Sequence, residues 1–186
     1  MKRQILSIII SLSFFLFPLH QISHAADLNL NNTPARVYFS PKGGCTEAII
    51  KELDQAKTDI LVQAYSFTSA PIAKALLNAH KRGVKVEAIP DKSQPRKEKY
   101  TAVTFLANSG IPTYIDDRHA IAHNKIMIIA QETVITGSFN FTKADEEKNA
   151  ENLLILKGNK PLVEAYIRNF GNYKGDSDAY VGRMSR

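Results

Sequence analysis

The chain has 186 residues, 44% of them hydrophobic, and a formal net charge of +6 at neutral pH. This length suffices for one domain with a real core. The lone cysteine, Cys45, excludes an intrachain disulfide. The moderate positive charge is compatible with a polyanionic partner but does not identify one, because many exported domains are equally basic for solubility.

The first 25 residues have the pattern of a secretory signal peptide. Lys2 and Arg3 precede an apolar run over residues 5–19, and Ser23-His24-Ala25 is a small-x-small cleavage site. A transmembrane helix needs about 20 apolar residues, so the run favours a cleaved leader over a membrane anchor. We therefore expect a periplasmic or secreted protein whose mature chain begins near Ala26.

Beyond the leader, strand and helix patterns alternate along the chain. A flexible polar lead-in over 26–34 comes first, and a loose tail over 176–186 ends the chain. The patterns predict strands over 35–40, 59–67, 84–89, 112–115 and 152–156, and helices over 46–56, 69–80, up to 108 and over 160–173. This alternation predicts an α/β fold over residues 35–175, a single domain in which helices flank a mixed sheet.

An apolar hairpin late in the chain joins two pairs of polar residues. His123 and Lys125 precede it, and Ser138 and Asn140 follow it. Residues two apart on a strand share a face. A turn at Gln131-Glu132 would set Lys125 opposite Ser138 and His123 opposite Asn140, with Cβ atoms roughly 5 Å apart. The hairpin is therefore predicted to gather four polar side chains in one patch.

The chemistry of these side chains suits phosphodiester hydrolysis. A neutral imidazole is a nucleophile, and a protonated one is an acid, near neutral pH. Lysine supplies a positive charge, while asparagine and serine donate hydrogen bonds. A transferring phosphoryl group needs cations and donors of this kind around its oxygens, and histidine can form a covalent intermediate.

The motifs around the hairpin resemble those of the phospholipase D superfamily. The sequence HNK at 123–125 matches the start of its motif HxK(x)4D, GSFN at 137–140 matches GSxN, and NAEN at 149–152 supplies a later glutamate. The segments YSFTS at 65–69 and ALLNAHKRGVKV at 75–86 are similar to the small, single-motif bacterial endonucleases of that superfamily. The resemblance covers residues 35–170 and implies a phospholipase D-like sandwich.

The resemblance also implies a role for each matching residue. His123 corresponds to the catalytic histidine, and Lys125, Asn140 and Ser138 to the groups that bind phosphate. Glu151 corresponds to the carboxylate that orients the imidazole, a task that general-base histidines usually need filled. No metal or other cofactor is implied.

One position departs from the motif. The aspartate of HxK(x)4D falls at position 130, where this chain has Ala130. In the predicted hairpin this position lies beside the turn, about 20 Å of strand away from His123. Aspartate is a common turn-forming residue, so we expect its loss to affect stability more than chemistry.

The number of histidines predicts a homodimer. His20 and His24 lie in the leader, which leaves His80, His119 and His123, and only His123 begins an HxK sequence. Members of the family use two facing histidines, one to attack phosphorus and one to protonate the leaving oxygen. One chain cannot supply both, so we expect a two-fold dimer with the active site across its axis.

The sequence also allows a metal-dependent alternative. Asp116, Asp117, His119 and His123 lie within eight residues, and two carboxylates with two imidazoles could hold a divalent cation that activates water. This hypothesis is weaker because the segment is short and lacks a second cluster of ligands.

Two further features could contact nucleic acid. The run over 92–99 contains Lys92, Arg96, Lys97 and Lys99, although such runs are more often simply solvated. Tyr65 and Phe67 could stack on bases, although core packing is favoured for both.

Together these features predict an exported, metal-independent endonuclease that hydrolyses DNA, and by the same chemistry RNA, with little sequence preference. Two alternatives stay open. The superfamily also hydrolyses phospholipids, and the altered motif at Ala130 is compatible with a nucleic-acid-binding module that has lost catalysis.

Overall fold

The computed structural model describes residues 25–95 and 101–182. The signal-peptide prediction therefore lies outside the described residues except for Ala25, as does most of the basic run over 92–99. The strands are β1 (Ala35–Phe39), β2 (Asp59–Ala64), β3 (Lys85–Pro90), β4 (Tyr114–Ile115), β5 (Lys125–Ile129), β6 (Thr133–Gly137), β7 (Asn152–Lys157) and β8 (Asp178–Ala179). The helices are α1 (Cys45–Gln55), α2 (Ala70–Lys81), α3 (Ala102–Asn108), α4 (Lys143–Glu147) and α5 (Lys160–Gly175).

Six strands form one mixed sheet in the order β1-β7-β6-β5-β2-β3. Strands β2 and β3 are parallel, and α2 connects them as a crossover. All other neighbours in this sheet are antiparallel. The predicted mixed sheet flanked by helices is confirmed. Strand β5, which begins at Lys125, lies near the centre of the sheet.

The sheet separates two apolar layers. One face packs against α1, α2 and α3, with Ile49, Leu76 and Leu106 among the buried residues. The other face packs against α5 through Leu162 and Phe170. This sandwich holds the central strands rigidly, so side chains at their ends are placed by a buried scaffold rather than by mobile loops.

The C-terminal segment differs from the predicted loose tail. Asp178–Ala179 pair with β4 as a second, two-stranded sheet, and the backbone N–H of Tyr180 donates to the carbonyl of Thr113 at 2.8 Å. The Tyr180 hydroxyl also lies 3.2 Å from that of Thr104 in α3. A two-residue strand carries too little pattern to be recognised in a sequence. The prediction of a loose tail is wrong for this segment.

The polar lead-in before β1 is attached to the domain. The side-chain amide of Asn159 donates to the carbonyl of Asn29 and to the Thr33 hydroxyl, both at 2.8 Å. Leu28 packs against the core layer under α5. The lead-in therefore makes contacts that its composition does not reveal.

The hairpin register is shifted by one residue from the prediction. Met127 pairs with Ile135 and Ile129 with Thr133, because the strands are joined by a three-residue loop over 130–132 rather than by a two-residue turn at 131–132. This register aligns Lys125 with Gly137 instead of Ser138, so the predicted cross-strand pairs are wrong.

A bulge after β6 compensates for the shift. The backbone N–H groups of Ser138 and Phe139 both donate to the carbonyl of Asn152 at 3.1 Å. Two residues thus face one, which is the geometry of a β-bulge. Gly137 allows this close approach, since a Cβ there would lie 2.3 Å from the Asn152 carbonyl oxygen. The bulge restores the phase, so the chain still returns Asn140 to the neighbourhood of Lys125.

We expect Ala130→Asp to stabilise the protein without increasing its turnover. Ala130 and Gln131 have φ values of 53° and 51°, a left-handed conformation that costs most residues about 1–2 kcal/mol and that aspartate tolerates better. The melting temperature should rise by a few degrees. Ala130→Val is the matched control and should lower it, since β-branched residues disfavour positive φ. Turnover raised by orders of magnitude at an unchanged melting temperature would contradict this account.

Candidate active site

His123 and Lys125 are in direct contact at the start of β5. The Lys125 Nζ lies 3.0 Å from Nδ1 and 3.2 Å from Nε2 of His123, and it donates to the His123 carbonyl at 2.9 Å. The Tyr65 ring packs on the imidazole with centroids 4.3 Å apart, and the Lys125 ammonium lies 5.0 Å from the same ring. Because the one Nζ lies this close to both ring nitrogens, it packs over the face of the imidazole rather than in line with either in-plane lone pair.

Lys125 is a buried cation, whereas His123 is exposed. Burial lowers the pKa of Lys125 below the ordinary value for lysine. The negative charges of Glu151 and Asp145 oppose this effect and favour the protonated form. Lys125 is therefore a fixed positive charge beneath an accessible imidazole, balanced by two carboxylates.

Asn140 is held by a buried carboxylate that the sequence analysis missed. Asp145, in α4, accepts hydrogen bonds from the Asn140 backbone N–H at 2.7 Å and from Asn140 Nδ2 at 2.9 Å. The hydroxyl of Thr142 and the side-chain amide of Asn149 donate to its other oxygen, each at 2.9 Å. The acidic run over 145–147 has the pattern of a solvent-exposed helix surface. In the sequence, only Thr142, a suitable N-cap residue, indicates an ordered turn before α4.

Glu151 directly precedes β7, and Ser138, which directly follows β6, lies beside the start of β7. The Glu151 backbone N–H donates to the Ser40 hydroxyl at 3.2 Å, and the Glu151 carbonyl accepts from the Ser40 N–H at 3.0 Å. The Glu151 side chain is close enough to Lys125 to influence its pKa. The Ser138 hydroxyl accepts from the backbone N–H and side-chain amide of Asn152, at 3.0 and 3.1 Å. The structure thus ties Ser138 to β7 rather than to Lys125.

A second buried carboxylate fixes the loop that carries His123. Asp91, just after β3, accepts from the backbone N–H groups of Ser93 and Ala122, both at 2.8 Å. Burial opposes its ionisation, but these hydrogen bonds and the nearby Lys92 charge prevail and lower the Asp91 pKa. Asp91 and Ala122 are 31 residues apart, so sequence spacing gave no signal of this contact.

The four residues of the metal alternative do not gather as one site. Asp116 is fully buried and engages His119, whose Nδ1 lies 2.9 Å from Asp116 Oδ2, and the His119 ring stacks on Tyr173 with centroids 4.8 Å apart. His123 instead contacts Lys125. Across residues 25–95 and 101–182, no group of three or more His, Cys, Asp or Glu side chains could hold a metal ion.

The two aromatic candidates have different positions. Phe67 is buried in the core and packs edge-on against Phe141, so it cannot stack on bases. Tyr65 is half-buried and lines the site beside His123. Lys92, the one basic residue of the 92–99 run in the described part of the chain, donates to the His119 carbonyl at 2.7 Å.

Two large apolar side chains, Phe39 and Ile121, are exposed beside the site. Phe39 precedes Ser40, whose hydroxyl accepts from the Glu151 backbone N–H, and Ile121 lies two residues before His123. Among the described residues, no helix has the length and apolar character needed to span a bilayer.

Comparisons with known proteins agree with this geometry. The family described as "Cardiolipin synthase, PLD-like domain" matches residues 49–174. The Phospholipase D of Rickettsia conorii is 40% identical over 157 residues, which span 84% of this chain and 78% of the relative. That of Rickettsia typhi is 37% identical over 172 residues, or 92% of this chain and 83% of the relative.

A solved structure extends the match to three dimensions. The crystal structure of Nuc from Salmonella typhimurium, a phospholipase D family member, superposes with a TM-score of 0.75 at 37% identity, and the match covers 80% of this chain and 98% of Nuc. The motif-based resemblance and the predicted fold are both confirmed. A histidine–lysine pair, an asparagine and a glutamate at one end of this sheet, within a chain so similar to these proteins, show that it belongs to the phospholipase D superfamily and is a phosphodiester hydrolase.

Proposed function

We propose that this protein is an exported endonuclease that hydrolyses phosphodiester bonds of DNA, and of RNA by the same chemistry, without a metal ion. The observation that carries the proposal is the contact between the exposed His123 imidazole and the buried Lys125 ammonium. This pair combines a nucleophile with a cation that can bind a phosphate oxygen. Export follows from the signal-peptide pattern over residues 1–25.

The chemistry begins when a phosphodiester binds beside the Lys125 ammonium, which in the free protein lies 3.0 and 3.2 Å from the two His123 ring nitrogens. The ammonium donates to an anionic oxygen of the phosphodiester, and a ring nitrogen that carries no proton attacks phosphorus. A P–N bond forms and the P–O bond to the leaving group breaks, while a proton passes to the leaving oxygen. Water then attacks phosphorus and gives its proton to the group that protonated the leaving oxygen, and the P–N bond breaks to restore the histidine.

The leaving oxygen needs a proton, and we propose that His123 of a second subunit supplies it. Within one chain the His123 ring contacts Lys125 and Tyr65, and the neighbouring His119 is bound to Asp116 instead, so the second imidazole is proposed to come from another chain. The exposed apolar Phe39 and Ile121 beside the site suit burial against another subunit. Sedimentation of an active, strictly monomeric protein would overturn the dimer.

DNA is favoured as substrate by the basic composition and by the small size of the domain. The chain has 24 lysine and arginine residues against 18 acidic ones. Binding through phosphates makes affinity fall steeply as salt rises. An affinity for DNA that is flat with salt concentration would contradict a groove that reads the backbone.

The first experiment is cleavage of plasmid and single-stranded DNA by the mature protein in excess EDTA. We expect full cleavage, because the histidine–lysine pair supplies both nucleophile and cation without a metal. The Asp116→Asn variant is the matched control and should also cleave with or without EDTA. Activity that appears only when magnesium is added would contradict the proposal and would favour a metal site that includes Asp116 and His119.

Phospholipid hydrolysis is the second candidate, favoured by a specific observation. The Rickettsia relatives, about two fifths identical to this chain, bear the name Phospholipase D. The same nucleophile would attack the phosphodiester of a phospholipid headgroup. Choline release from phosphatidylcholine vesicles, measured beside DNA cleavage at equal enzyme concentration, decides between the substrates.

A further inference from the structure

The orientation of the Asn140 amide depends on one residue outside the recognised motifs. Asp145 is 3% exposed and accepts four hydrogen bonds, two on each oxygen. All four donors are neutral groups, and no ion pair to Asp145 occurs among the described residues. A buried carboxylate is costly unless its charge is compensated, and the nearby cation is Lys125.

The bonds to Asn140 are more than a helix cap requires. Capping of α4 is accomplished by Thr142, whose hydroxyl accepts from the Asp145 backbone N–H at 3.0 Å. The Asp145 side chain instead fixes both the backbone and the side-chain amide of Asn140 through a single oxygen. This arrangement serves the asparagine rather than the helix.

The hydrogen bonds also determine which way the Asn140 amide points. Nδ2 faces the carboxylate, and the buried Oδ1 has no partner in the described part of the chain. A reversed amide would set two acceptors against each other, so the carboxylate enforces this orientation. One Nδ2 hydrogen is used by Asp145, and the other stays available to donate to a phosphate oxygen.

We propose that Asp145 is a positioning residue for phosphodiester hydrolysis: through its hydrogen bonds to the backbone and side chain of Asn140 it orients the Asn140 amide as a donor toward the phosphate, and it places a negative charge in the neighbourhood of Lys125. This inference rests on the hydrolytic site proposed above. An asparagine at position 145 would remove the charge, and its own amide could donate to Asn140 Oδ1, so that the catalytic amide could reverse.

The test compares Asp145→Asn with Thr142→Val, which removes the cap and one hydrogen bond to Asp145 but keeps the charge and both bonds to Asn140. Hydrolysis of bis(4-nitrophenyl) phosphate is measured across pH, together with melting temperatures. Asp145→Asn should lower kcat by about 10²-fold, since displaced catalytic groups cost that much. Thr142→Val should lower the melting temperature yet leave kcat near that of the wild type.

The pH profile separates positioning from a purely structural role. The charged or titratable groups facing Lys125 are His123, Tyr65, Glu151 and Asp145. Loss of the Asp145 charge removes one influence that keeps the lysine protonated, so the alkaline limb of kcat/KM should move to lower pH in Asp145→Asn but not in Thr142→Val. Equal profiles and equal kcat for the two variants would overturn the proposal.

A direct titration of Lys125 keeps the test independent of activity. In protein labelled at the lysine side chains, the Nζ signal of Lys125, assigned by its absence in Lys125→Met, should titrate at lower pH in Asp145→Asn. If this shift is observed but the wild-type protein hydrolyses no phosphodiester, the proposed function is contradicted, whereas the electrostatic coupling between Asp145 and Lys125 still holds. If Asp145→Asn does not fold, Asp145→Ser removes the same charge and can be titrated in the same way. A Lys125 signal that titrates at the same pH as in the wild type would refute the coupling.

Discussion

Replacing His123 by asparagine is expected to abolish phosphodiester hydrolysis, with a loss of at least about 10⁴-fold in kcat. His123 is proposed both to form the covalent bond to phosphorus and to supply the proton of the leaving group, so one substitution removes two catalytic functions. The ring is exposed, and within residues 25–95 and 101–182 its hydrogen-bond and ring contacts are with Lys125 and Tyr65. The melting temperature should therefore change little, and initial rates with DNA and bis(4-nitrophenyl) phosphate measure the loss.

The matched control for this prediction is His119→Gln. His119 lies four residues earlier and is bound to the buried Asp116 rather than to Lys125. We expect this variant to retain most of its activity, whereas a metal site built on both histidines requires equal losses. More than a trace of cleavage by pure His123→Asn protein would refute the catalytic assignment.

Mixing experiments extend the prediction to the dimer. An excess of His123→Asn protein, allowed to exchange subunits with wild type, should suppress wild-type activity in proportion to the heterodimers formed. Each mixed site would hold a single histidine and could not complete the cycle. Activity that falls only by dilution would contradict a site shared between subunits.

The second large effect is expected at Lys125, where both catalysis and stability should fall. Lys125→Met should lower kcat/KM by about 10²–10³-fold, the usual cost of losing one group that stabilises a developing oxyanion. The same change removes the cation near the Glu151 and Asp145 carboxylates, and losing one partner of a buried charge set leaves the other charge uncompensated. The melting temperature should therefore fall, as measured by calorimetry.

The pH dependence of the wild type provides the accompanying control. Because burial lowers the Lys125 pKa, the lysine loses its proton at lower pH than an ordinary lysine, and activity should fall as pH rises through that pKa. Lys125→Met should lack this alkaline limb in its residual activity. A folded variant that keeps both its rate and its alkaline limb would show that Lys125 takes no part in catalysis.

Local patterns predicted most of the architecture. Helical and strand periodicities located α1, α2 and α5 and the central strands to within a few residues, because each buries one apolar face. The hairpin was also recognised, but its register was not. The turn is formed by Ala130 and Gln131, two residues that give no glycine or asparagine signal of positive φ. The compensating bulge follows Gly137, but a glycine at the end of a strand does not by itself specify a bulge.

The supporting residues of the site could not be predicted because their partners are distant in sequence. Lys125 and Asn140 stand out by motif, whereas Asp91 reaches Ala122 across the parallel strands and their loops. Asp145 lies close to Asn140 in sequence, but it sits within an acidic run whose other members face solvent or cap α1. Only the fold distinguishes the one buried carboxylate from its neighbours.

The burial of Cys45 has a practical consequence for studying the protein. The thiol is fully buried at the first position of α1, and burial together with the nearby Glu146 carboxylate raises the Cys45 pKa to about 11. The thiolate, which is the reactive form, is therefore rare at neutral pH. A cysteine introduced on the surface can be labelled with a maleimide dye or a nitroxide while the native thiol stays unmodified, so distances between subunits can be measured without first making a cysteine-free background.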